Sequence, residues 1–104
     1  AAIRAGDDGP TPALLSELAL AQRAANDRPA AEASLVAAIR LDAHYATAHY
    51  LLANMLAGRQ EFGGAAEHYR AYLQLEPRGD YAAEAREKLR AAEAAITATR
   101  PATP

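Results

Sequence analysis

The stretch Thr47-Ala48-His49-Tyr50-Leu51-Leu52-Ala53-Asn54-Met55-Leu56, followed by Phe62, Ala65, Tyr69, Leu73, Leu75 and Pro77, decides how this chain folds. Its apolar residues recur three and four apart on both sides of Arg59-Gln60-Glu61, the spacing of two amphipathic helices. So short a connection leaves two helices no arrangement but an antiparallel pair. Pro77 and Gly79 stop the second of them.

The same logic extends outward to an all-α chain of five helices. Thr11 is a helix N-cap with Pro12 suited to the first helical position. A helix over about 12–25 turns Leu14, Leu15, Leu18, Ala19 and Ala21 toward the core. Asn26-Asp27-Arg28-Pro29 ends it, and Asp27 caps a second helix over about 28–41 that buries Ala31, Leu35, Ala38 and Ile39. The third and fourth helices span about 46–58 and 62–75. The fifth, over about 80–97, is capped by Asp80, with a seam of Ala82, Ala85, Leu89, Ala92 and Ile96. Glu84 and Lys88 form an i,i+4 pair on it in the favourable order.

Composition agrees. Alanine, the best helix former, dominates, and strand-favouring residues are scarce. A net charge of −2 is too balanced for a nucleic-acid footprint. No run of Lys and Arg reads as a lipid-binding patch, and no apolar run suffices for membrane insertion. Without cysteine there are no disulfides or thiolate metal sites, which suits cytoplasm or periplasm alike. The Ala- and Arg-rich composition reads as bacterial.

Positions 34 apart correspond: Leu18 with Leu52, Ala19 with Ala53, Ala31 with Ala65, Ala37 with Ala71 and Leu41 with Leu75. Residue class is kept where identity is not, as in Leu35 with Tyr69, Ile39 with Leu73 and Asp27 with Glu61. Small alanines on each first helix let it approach the large residue of the second. With its closing proline, this pattern resembles the tetratricopeptide repeat (TPR). The resemblance implies a short right-handed α-solenoid with repeats at 11–43 and 45–77 and a capping helix at 80–97. Departures are His49 at the large aromatic position, Ala53 for glycine, and Tyr72 for a small residue. The bulk of Tyr72 against Ala38 implies that the fifth helix is spaced differently from the third. Outside the repeats, Ala1-Ala2-Ile3-Arg4 duplicates Ala37-Ala38-Ile39-Arg40. Residues 1–10 therefore read as the end of a preceding helix or a linker, and 98–104 as a Pro/Thr tail.

Candidate chemistry is sparse. His44 and His49 are five apart, on diverging helical faces, and His68 belongs to another helix, so no metal site is expected. Ser16 and Ser34 are lone hydroxyls whose usual fate is solvent or backbone bonding. Gly63-Gly64 lacks the Lys and Ser/Thr of a phosphate loop and reads as close helix approach. The chain is expected to be no enzyme and to need no cofactor.

The resemblance implies instead a protein-binding scaffold that holds a partner's peptide in a concave groove. Carried over by position, that groove is lined by Glu17, Leu20 and Arg23, with Ser16 beside them. The third helix adds Thr47, Tyr50, Leu51 and Asn54, and the fifth Tyr81, Glu84 and Lys88. Asn54 stands where an amide bonds a bound peptide's backbone. The positions of a carboxylate clamp lack its cations, so chaperone tails are not the expected ligand. The alternatives are self-association through exposed repeat ends, and substrate docking for a larger enzyme.

Overall fold

Thr11 sets the start of the first helix. Its hydroxyl oxygen accepts the N–H of Leu14 at 3.1 Å, satisfying a donor that the helix itself leaves unpaired. From there the computed structural model, which describes residues 9–99, gives α1 (Pro12–Ala24), α2 (Arg28–Leu41), α3 (Ala46–Gly58), α4 (Phe62–Leu75) and α5 (Ala82–Thr99). The architecture is all-α, with no strand among the described residues. The readings of residues 1–8 and 100–104 fall outside them. The fifth helix starts at Ala82 rather than Asp80 and continues past Thr97.

Two compact units divide the chain, Ala1–Ala48 and His49–Pro104, with the boundary inside α3. In the first, α1 packs on α2, burying Ser16 and Ala19 from one and Ala31, Ser34, Leu35 and Ala38 from the other. Small residues on both helices permit close approach. This line displaces the broad apolar face expected for α1: Leu14 and Leu18 are 56% and 46% exposed. They lie on a flank turned away from Ser16 and Ala19, so packing on α2 leaves them uncovered. Ser34 differs from expectation too, its hydroxyl donating to Gln22 Oε1 at 2.7 Å. Ser16 is buried and its Oγ has no partner among the described residues, a desolvation cost that neither solvent nor backbone bonding relieves.

In the second unit α4 packs on α5. The buried residues are His49, Tyr50, Leu52, Ala53 and Met55 of α3, Ala65, Ala66, Tyr69 and Tyr72 of α4, and Ala82, Ala85 and Ala92 of α5. Gly64 marks a close approach, since a Cβ there would lie 3.1 Å from Leu56 Cδ1, whereas Gly63 faces open space. Arg86 and Arg90 are exposed, and Arg86 reaches back to donate to the carbonyl of Pro77 at 2.6 Å.

The period of 34 is written in the backbone. α1 and α3 are both 13 residues long, and α2 and α4 both 14. Asn26 and Gln60, 34 apart, both take the left-handed conformation at φ 66°. After α1, the N–H groups of Asn26 and Asp27 bond the carbonyls of Arg23 and Gln22. After α3, those of Gln60 and Glu61 bond Ala57 and Leu56 in the same way. Each set is a Schellman C-cap closing a helix. The caps that follow differ by one methylene: Asp27 Oδ1 accepts from Ala30 N–H at 3.2 Å, but Glu61 makes no such bond. Glu61 pairs instead with Arg59 at 3.5 Å.

The correspondence persists to Gly79, whose N–H bonds the carbonyl of Glu76 as Tyr45 bonds Asp42, both at 3.0 Å. It then breaks. α3 starts at Ala46, so α5 in phase would start at residue 80, two before its actual start. The reason is Tyr72, whose hydroxyl accepts the N–H of Tyr81 at 3.0 Å and ties the connecting turn to α4. Asp80 is thereby held in the turn rather than at the helix cap.

Two substitutions test these turns by thermal unfolding. Gly79→Ala sets a methyl against the Tyr72 hydroxyl and 2.8 Å from Glu76 Cβ, and should cost roughly 1–3 kcal/mol as overpacking. Gln60→Gly relieves a left-handed residue and should gain up to about 1 kcal/mol, whereas Asn26→Gly, replacing a residue that tolerates this conformation, should change little.

Candidate functional site

The centre of the second unit is a group of four tyrosines. Tyr50, on α3, lies with its ring parallel to that of Tyr81, centroids 4.6 Å apart and 6° between planes. It meets Tyr69 edge-on at 6.0 Å and Tyr72 at 5.5 Å. Tyr72 and Tyr81 are 6.2 Å apart. Such contacts add to burial about 0.5–1.5 kcal/mol per pair. The layers grade outward: Tyr69, Tyr72 and Tyr50 are buried, while Tyr81 is 39% exposed and presents ring surface to solvent.

A polar network runs along one edge of these rings. The Tyr50 hydroxyl donates to Glu84 Oε1 at 3.3 Å and accepts from Lys88 Nζ at 3.1 Å. Glu84 and Lys88 are thus joined through a phenol on α3, a role their helical spacing alone does not disclose. The Lys88 ammonium lies 5.1 Å from the centre of the Tyr50 ring, within reach of a cation–π attraction.

Asn54 is fixed from two sides. Its Oδ1 accepts from Tyr69 Oη at 2.5 Å and from Lys88 Nζ at 3.2 Å. An ammonium only donates, so the amide oxygen is the atom that must face it. The Nδ2 donors then point away from both partners, on a half-buried side chain. Both bonds fall on the acceptor. Burial first, then the neighbouring Tyr50, push the Tyr69 phenol up to about 12, which keeps it a hydrogen-bond donor to Asn54.

Of the residues expected to line a groove, the structure joins Tyr50, Asn54, Tyr81, Glu84 and Lys88 by direct contact or through Tyr50. Tyr50 is 4% exposed and supports Tyr81 from beneath, so its ring is not itself open surface. Leu51 is half-buried on α3. In the first unit Glu17, Leu20 and Arg23 stand exposed along α1, while Thr47 is half-buried and Ser16 is buried. Sequence reasoning missed Tyr69 and Tyr72 as the inner half of the cluster, although four of five tyrosines fall between 50 and 81. It also missed His49 with His68, whose Nδ1 atoms lie 2.9 Å apart across α3 and α4.

Comparison with models of known protein families returns no match, and comparison with curated proteins returns none either.

The Tyr69 phenol gives this arrangement a measurable signature. Its folded pKa lies above the ordinary value of about 10, so the contribution to stability is complete below that value and is lost as pH rises from about 10 through 12. Alkaline titration of phenolate absorbance should show one late tyrosine in the folded protein, absent from Tyr69→Phe.

Proposed function

We propose that the chain is a non-catalytic protein-interaction module of the TPR type, a short right-handed solenoid that holds a peptide segment of a partner. The period of 34 in helix lengths, left-handed residues and C-caps supports the repeat class, with α5 as its closing helix. Within the second unit the contact surface is the outer face of Tyr81 with Asn54 and Lys88 beside it. The observation that carries this reading is the locked amide of Asn54, whose oxygen is engaged by Tyr69 and Lys88.

An amide held this way costs little to order on binding and offers donors to a backbone carbonyl. Beside it, Tyr81 supplies a rigid apolar plane backed by Tyr50, the type of aromatic anchor on which binding energy concentrates. The chemistry complementary to this surface is an extended chain with one carbonyl at Asn54 and an apolar side chain on Tyr81.

Selection of a displayed peptide library against the purified chain tests the reading. Loss of a hot-spot contact of about 2 kcal/mol or more predicts that Tyr81→Ala and Asn54→Ala each weaken selected peptides at least about 30-fold. The helical circular dichroism of both variants should match the parent. Equal capture by parent and both variants would move binding off this surface.

A further inference from the structure

We propose that His49 and His68 form a pH-sensitive clasp between α3 and α4, closed while the two rings share a proton and opened when each carries its own. The rings meet head to head. Their Nδ1 atoms are 2.9 Å apart and their centroids 5.2 Å apart, with 29° between planes. The difference leaves about one ring radius at each end, so both nitrogens lie close to the line joining the ring centres. That is the geometry of a linear N–H···N hydrogen bond. One imidazole donates from Nδ1 and the other accepts with its Nδ1 lone pair.

The same geometry argues against a chelated metal. Lone pairs aimed at each other across 2.9 Å do not converge on an ion about 2.0–2.1 Å from each. No cluster of three His, Cys, Asp or Glu occurs among the described residues.

Proton counting makes the pair a switch. With both rings neutral the bond is made, and with one extra proton the donor becomes an imidazolium and the bond is charge-assisted. With two extra protons both Nδ1 atoms are donors, two N–H groups face each other, and two like charges lie within contact distance. The rings must then part. His49 is 8% exposed and His68 half-buried, so solvent screens this repulsion poorly.

At His68 the neighbouring charge does not offset this. Glu67, beside His68 in sequence, favours its protonated form, but burial and then His49 outweigh it and hold the His68 pKa below the ordinary value. On α5, Glu84 and Lys88 are engaged at Tyr50, and Glu93 pairs with Arg70 of α4 at 2.8 Å. The sign follows from the depressed pKa: the unfolded chain binds the proton more tightly, so stability is present above about pH 6.5 and falls as pH drops below it. A single proton bound only by the open form multiplies its population up to about tenfold per pH unit in that window.

The experiment is a titration of the intact chain from about pH 8 to 5, above the main carboxylate range. Imidazole nitrogen shifts are followed by NMR alongside thermal unfolding, for the parent and for His68→Gln, which keeps hydrogen-bonding capacity without the titration. In the parent His68 should titrate below an ordinary histidine, in a step that the His49 resonances report as well. Its unfolding temperature should fall with pH, and His68→Gln should lose most of that dependence. An ordinary titration of His68 that leaves the His49 resonances unmoved would overturn the clasp without any variant, as would an unchanged pH slope in a folded His68→Gln. The result does not depend on what the protein binds.

Discussion

Tyr50 is the residue on which the second unit depends, because one ring meets aromatic partners from everything around it. It lies against Tyr69 and Tyr72 of α4 and parallel to Tyr81 in the turn before α5. A unit with so much alanine in its core gains little area from each side chain, so the large planar surfaces fall to a few residues. They also set the geometry: the Tyr72 hydroxyl holds the Tyr81 backbone, and the Tyr50 hydroxyl ties Glu84 and Lys88 of α5 back to α3. Packing, hydrogen bonding and helix position are fixed by one set of rings.

That economy links stability to the surface available for recognition. Tyr81 is held by Tyr50 below and by Tyr72 at its backbone, and Asn54 by Tyr69 and Lys88. Both outer groups are pre-positioned by residues that also close the core. Ordering them is part of folding and need not be repeated on binding. The proposed recognition role rests on this coupling rather than on exposure alone.

Much of the fold was legible because helix signals are local. Thr11, Asp27, Pro12, Pro29 and Pro77 act within a turn of themselves, and periodicity recovers helix existence without knowledge of neighbours. The site was half legible. The resemblance named Asn54, Tyr81, Glu84 and Lys88, but not that Glu84 and Lys88 meet at a phenol from α3. Interhelical contacts are set by packing register, which escapes periodicity; hence His49 and His68 read as unrelated, and Leu14 and Leu18 as core. At Ser16 the helical position was right and the environment wrong, since burial depends on what α2 brings against it.

The turn after α4 has a consequence for how such a chain can grow. Up to Gly79 the backbone keeps one phase, and two extra residues then separate it from α5. A duplicated segment of 34 residues spliced at Ala43 would enter between elements that already share its phase. One joined after Pro77 would inherit an offset of half a helical turn at its first junction. The hydrogen bond from the Tyr81 backbone to Tyr72 thus marks where the 34-residue phase stops.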